Sequence, residues 1–224
     1  MPPPAFLGRP VGLVIFDCDG VLVDTEPTTL RVMREWIATF GLELPMDEVV
    51  ATIKGVHIDT IEAMITERVG RELPDFVAGY RRNMFEAFER GIPPIEGAVA
   101  ALDALDRIGL PWCVASNGPH TKMDASLGSS GLSARTPRDR IFSADDVENP
   151  KPAPDLFLFA AHECGFGPDH CVVVEDSPAG VVAARAAGMR VLAHVDLTPR
   201  SELAKAEPDA IVESMAELPG LLSL

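Results

Sequence analysis

The stretch Val11-Gly12-Leu13-Val14-Ile15-Phe16-Asp17-Cys18-Asp19-Gly20 decides how the rest of the chain is read. A short, branched apolar run that ends in acids and a glycine reads as a strand buried on both faces, the mark of a parallel sheet covered by helices. Runs of the same kind recur at 112–115, 141–142, 171–174 and 190–195, with a weaker one at 210–212. Helical patterns lie between them over 95–108, 119–131, 154–164 and 178–187, with Gly109, Gly131, Gly165 and Gly188 punctuating their ends. Strand alternating with helix predicts an α/β fold, a Rossmann-like doubly wound parallel sheet.

One region interrupts the alternation. From Pro27 to Pro93 no strand pattern is visible, only helical faces: Leu30, Met33, Trp36, Ile37 and Phe40; Ile61, Met64, Ile65 and Val69; Tyr80, Met84, Phe85 and Phe88. These stripes read as core-facing. The expected organisation is therefore a catalytic core of residues 1–26 and 94–224, with an all-helical cap of residues 27–93 inserted after the first strand.

The 224 residues carry 19 basic and 34 acidic side chains, 19 − 34 = −15, with 47% apolar and 24% charged residues. That balance is globular, not a disordered acidic tail. It argues against a nucleic-acid groove or an anionic membrane as partner, since both demand a basic face. An anionic substrate then needs a local reversal of the field. No run approaches a membrane span. Met1-Pro2-Pro3-Pro4 shows no charged region leading into an apolar stretch, so no signal peptide is expected. The four cysteines form no C-x-x-C pair, which suits reduced core thiols and a cytoplasmic protein.

Ligands of open α/β sheets bind outside the carboxyl ends of the strands. Four predicted strand ends carry polar clusters there: Asp17 and Asp19; Ser116-Asn117-Gly118; Lys151, between Pro150 and Pro152; and Glu175-Asp176. Each has a plain reading by itself. Asp19-Gly20 can be a turn, Ser116-Asn117-Gly118 a strand-to-helix connection, Lys151 a surface lysine, and Asp176-Ser177 a helix cap. Together they bring carboxylates, a hydroxyl and a cation to one edge. Asp17, Asp19, Glu175 and Asp176 read as a hard-oxygen cage suited to Mg²⁺. Ser116, Lys151 and helix N–H groups supply what a phosphate needs. The combination predicts phosphoryl transfer through an aspartyl-phosphate.

In order, the strings FDCDGVLVDTE, VASNGP, NPKPAPD and VVEDSPAGVVAARAAG resemble the four motifs of the haloacid dehalogenase superfamily, and the likeness covers nearly the whole chain. The helical insertion is similar to that family's small cap, expected to close over the sheet edge. The resemblance implies Asp17 as nucleophile and Asp19 as general acid, then base. It implies Mg²⁺ held by the Asp17 carboxylate, the Asp19 backbone carbonyl and Asp176, with Glu175 as ligand or as a partner behind the ligands. Ser116 and Lys151 would bind the phosphoryl oxygens, helped by the backbone at Asn117. Asp24 and Thr25 would shape the turn into the cap.

Asp19 argues for phosphoryl transfer, because a dehalogenase needs no acid there. Lys54-Gly55-Val56 looks like the substrate loop of sugar-phosphate members, which makes Lys54 a substrate-binding candidate, with His57 beside it. The beta-phosphoglucomutases carry other groups at Thr29, Ile58 and Pro119, so a mutase is the alternative and a phosphatase the expectation. Lys54-Gly55-Val56 and Ser116-Asn117-Gly118-Pro119, followed by Lys122-Met123 and Ser126-Leu127, most resemble bacterial phosphatases of phosphogluconate and related sugar phosphates. A catalytically inactive phosphosugar-binding protein is a further alternative, against which the intact polar set speaks. The expected partner is a small phosphorylated metabolite, with no nucleic acid and no membrane, and the analogy implies a monomer.

Overall fold

A computed structural model describes residues 4–54, 56 and 58–223. The chain divides into two compact units, Met1–Asp24 with Pro93–Leu224, and Thr25–Ile92. His57 and Gly55 lie outside the described residues.

The larger unit begins with a hairpin, β1 (Ala5–Phe6) against β2 (Arg9–Pro10). Its turn residues Leu7 and Gly8 both have positive φ, 50° and 74°. A two-residue turn of that hand is normally signalled by Asn-Gly or Asp-Gly, and Leu7-Gly8 hides it from a sequence reading. The Arg190 guanidinium fixes the hairpin by donating to the carbonyls of Phe6, Arg9 and Pro10 at 2.8–2.9 Å.

The central strand β3 (Leu13–Phe16) leads into the smaller unit, which holds α1 (Glu26–Ala38), α2 (Met46–Ile53), α3 (Ile58–Val69) and α4 (Phe76–Phe88). Among the described residues that unit has no strand. Leu30, Met33, Ile37, Val49, Ile61, Ile65 and Phe76 form its core. The Trp36 indole donates to the Phe76 carbonyl at 3.0 Å and occupies the space that a side chain at Gly79 would fill.

The larger unit resumes with α5 (Ala98–Ile108), β4 (Trp112–Ser116), α6 (His120–Ser129), β5 (Ile141–Ser143), α7 (Asp155–Glu163), β6 (Cys171–Glu175), α8 (Pro178–Ala186), β7 (Arg190–His194), α9 (Arg200–Lys205), β8 (Ala210–Val212) and α10 (Leu218–Leu221). The six long-range strands pair in parallel, in the order β5-β4-β3-β6-β7-β8. The chain starts in the middle, winds outward to β5, then crosses back beside β3 and winds the other way. This is the expected doubly wound α/β sheet, and its switch point falls between β3 and β6.

Both faces of the central strands are buried, as their unbroken apolar runs require. Leu13, Ile15, Cys113, Ala115, Val173 and Val191 pack with Leu156, Phe157 and Ala160 of α7 and Val181 and Ala184 of α8. The alternate residues turn to the opposite face, where the rings of Phe16 and Trp112 meet edge to face at 6.1 Å.

Two boundaries differ from the sequence reading for visible reasons. Val11 and Gly12 lie outside β3: their N–H groups bond to the carbonyls of Pro4 and His170, and the Phe166 ring lies where a side chain at position 12 would stand. The helix expected from residue 95 starts at Ala98, because Gly97 has φ +84° and lies against the Met215–Ala216 backbone. No helix among the described residues is long and apolar enough to cross a membrane, and all four cysteines are free.

Candidate active site

Asp17 follows β3, and its backbone N–H donates to the Val174 carbonyl of β6 at 2.9 Å, so the chain enters the switch point held by both central strands. The turn that follows is built on Cys18, whose carbonyl accepts from Leu22 and Val23. Gly20 has φ +76°, and a Cβ there would lie 2.4 Å from Asp176 Oδ2. The glycine is thus demanded twice: by its conformation, and by the Asp176 carboxylate pressed against it. His194, at the end of β7, sets its Nδ1 3.0 Å from the Gly20 carbonyl.

Lys151 is the hub of the site. Its buried ammonium donates to Asp17 Oδ1 at 2.6 Å, Glu175 Oε1 at 2.7 Å and the Ala115 carbonyl at 2.8 Å, which satisfies all three protons. It also stands 4.6 Å from the centre of the Phe157 ring. The Asn117 side chain clamps the Lys151 backbone from both sides, donating to its carbonyl at 2.9 Å and accepting from its N–H at 3.0 Å. The resemblance assigns the Asn117 backbone to substrate; its side chain is engaged in holding the lysine loop. Ser116 closes β4, and its Oγ accepts from the Gly118 N–H at 3.1 Å.

Burial pushes the Asp17 carboxyl up, to about 7; Lys151 pulls it down, while Glu175 and Asp19 push it further up. Burial opposes charge on Lys151 as well, but the Asp17 and Glu175 carboxylates outweigh it and hold the ammonium protonated above its ordinary range. Asp19 lies nearer solvent and receives the Lys122 ammonium on Oδ2 at 2.6 Å. The structure therefore brings Asp17, Asp19, Ser116, Asn117, Lys151, Glu175 and Asp176 to one sheet edge. Lys54 belongs to the helical unit, where its Nζ is 3.6 Å from Glu26 Oε2.

A family model described as a haloacid dehalogenase-like hydrolase matches residues 11–188, from just before β3 to just past the end of α8. The chain belongs to this family. It is 37% identical over 180 residues to 6-phosphogluconate phosphatase of Escherichia coli (strain K12), covering 80% of each chain. It is 36% identical over 182 residues to hexitol phosphatase A of the same organism, covering 80% of this chain and 81% of that one. Among solved structures it resembles a haloacid dehalogenase family hydrolase from Deinococcus radiodurans with bound phosphate and sodium, at 30% identity and a TM-score of 0.83, covering 96% of this chain and 99% of that one. The enzyme class read from the sequence, a phosphoric monoester hydrolase, agrees with both E. coli relatives.

Seen as a haloacid dehalogenase-like hydrolase, the chain holds its four strand-edge acids in different surroundings. Both oxygens of Glu175 are taken by protein donors, Oε1 by Lys151 and Oε2 by the Ser177 N–H and hydroxyl at 2.8 Å. Glu175 thereby supports Lys151 and the start of α8, one of the two roles that the resemblance implies for it. Among the described residues no three His, Cys, Asp or Glu side chains stand together as a metal-holding group. The donors that the resemblance implies, two carboxylates from Asp17 and Asp176 with one backbone carbonyl from Asp19 and Glu175 as ligand or behind them, suit Mg²⁺, which keeps several waters and takes one or two protein carboxylates.

Proposed function

We propose that this enzyme is a Mg²⁺-dependent phosphatase of a small phosphorylated sugar or sugar acid, 6-phosphogluconate-like, acting through an aspartyl-phosphate at Asp17. The observation that carries the reading is the Asp17–Lys151 contact at 2.6 Å in the switch-point crevice, with Ser116 on the adjacent strand. A lysine locked protonated by two carboxylates is a fixed positive charge beside Asp17, which favours the negative charge of phosphoryl oxygens. The relatives' names support the substrate class.

An Asp17 carboxylate oxygen attacks phosphorus, and the ester P–O bond breaks as the new O–P bond forms. Asp19 gives its proton to the departing alkoxide. It then takes a proton from water as that water attacks phosphorus, and the O–P bond to Asp17 breaks to release phosphate. Asp17, the Asp19 carbonyl and Asp176 would hold Mg²⁺, which when bound supplies charge neutralisation on the phosphoryl oxygens. Asn117 keeps Lys151 in place, and Glu175 keeps its ammonium aimed at Asp17. The reading includes the expectation of a reduced, cytoplasmic enzyme.

The test is phosphate release over a panel of sugar phosphates that includes 6-phosphogluconate and hexitol phosphates. The wild type is expected to turn over at least one, and Asp17→Asn none, with the fold retained by circular dichroism. Native-rate release by Asp17→Asn refutes the aspartyl-phosphate. Isomer formation from a hexose 1-phosphate with a bisphosphate primer, without phosphate release, replaces the phosphatase by the mutase.

A further inference from the structure

The chemistry above leaves Lys122 without a task, yet it makes a short contact in the site. Lys122 and Ser126 are four residues apart on α6, which places them on one face of the helix. Both reach the turn after β3: Lys122 Nζ lies 2.6 Å from Asp19 Oδ2, and Ser126 Oγ lies 3.8 Å from Cys18 Sγ. Gly118 opens the space between them. A Cβ at Gly118 would stand 3.5 Å from Lys122 Cδ, 3.5 Å from Ser116 Oγ and 3.9 Å from Asp19 Oδ2, so these three side chains gather around one point. That point lies on the same strand edge as Asp17 and Lys151.

From this gathering we infer that Lys122 is a positioning residue for Asp19: its ammonium grips Oδ2 and fixes the plane of the carboxylate for proton transfer to the leaving oxygen. The inference rests on the proposed function, which assigns that transfer to Asp19. A carboxylate on a short side chain rotates broadly about its terminal torsion. A general acid must hold its proton within about 2.6–3.2 Å of the accepting atom. A charge-assisted bond from a helix anchored at a second point, Ser126, removes that freedom. The proton passes from Asp19 to the ester oxygen as the P–O bond breaks and the bond to Asp17 forms, so Lys122 neither gains nor loses a proton.

Leaving-group dependence tests this assignment. Alkyl phosphates release a strongly basic alkoxide and need the acid, whereas p-nitrophenyl phosphate releases a phenoxide stable without a proton. The constant kcat/KM covers only the steps through alcohol release, so slower hydrolysis of the phosphoenzyme does not enter it. Lys122→Met keeps the length and packing of the side chain and removes the charge. Its kcat/KM on the preferred sugar phosphate is expected to fall about 10- to 100-fold, part of the roughly 100- to 10,000-fold that a positioned general acid contributes, and less than about threefold on p-nitrophenyl phosphate. Lys122→Arg should recover most of the loss. Retained aryl turnover also reports a folded site. An equal fall on both esters, or a fall on neither, overturns the positioning role while the phosphatase reading stands. A wild type inactive on both esters removes the phosphatase reading, and the role of Lys122 with it.

Discussion

Replacing Gly180 by alanine probes the packing behind Lys151. Gly180 is the third residue of α8 and is buried. Its φ is not positive, so alanine suits the backbone, and at an unobstructed helix position it would stabilise by about 0.8–1 kcal/mol. Here the methyl would stand 1.8 Å from Glu175 Oε1 and 1.9 Å from Cδ. Glu175 cannot yield at little cost, because Lys151 holds one oxygen and Ser177 the other, and the residue is 1% exposed.

An overlap that deep drives the carboxylate out of its place and breaks a buried ion pair, which costs about 3–5 kcal/mol. Subtracting the helix gain leaves a net loss of about 2–4 kcal/mol. For a chain of this size each kcal/mol moves Tm by about 2–4 °C, so Tm should fall by roughly 4–16 °C. The assay is thermal melting by circular dichroism with phosphate release measured in parallel. Gly128→Ala on α6, where nothing lies within 4 Å of the added methyl, is the control and should melt at or above wild type. If Gly180→Ala melts at or above wild type and keeps its activity, the contact between α8 and Glu175 is wrong.

Two further outcomes follow from the same geometry. Lys151→Met leaves Asp17 and Glu175 buried without their cation, so it should lose about 3–5 kcal/mol in urea denaturation together with all phosphate release; wild-type stability would show that the ammonium is not the hub. Chelation should stop turnover and added Mg²⁺ restore it, while Mg²⁺ should raise Tm of the wild type by mass action and leave Asp176→Asn unmoved. Full activity in excess chelator with no Tm response would refute the metal assignment.

Several features are legible in the sequence because they are local. The apolar run ending at Asp17 needs only its own residues to read as a doubly buried strand. Gly20 is recognisable as a turn residue, but the Asp176 carboxylate that forbids any other side chain there arrives from another strand. Leu7-Gly8 lacks the usual composition of its turn, so the residues themselves do not announce the hairpin. For Glu175 the sequence displays the charge and not the donors it meets, Lys151 and Ser177. Lys122 stands beside a motif, with nothing in its spacing to indicate a partner 103 residues away.

Periodicity and residue chemistry alone therefore determined the alternation of strand and helix, the helical insertion, and the set of acids, hydroxyl and lysine at the strand ends. The tertiary structure decided which of them meet. Strand order sets β3 beside β6, and only then does Lys151 fall between Asp17 and Glu175. Charge pairing acts over a few ångströms, and side-chain period says nothing about the distance between segments more than a hundred residues apart. That proximity sets Asp17 and Glu175 on one lysine, Asp19 on another, and Asp176 against the turn at Gly20.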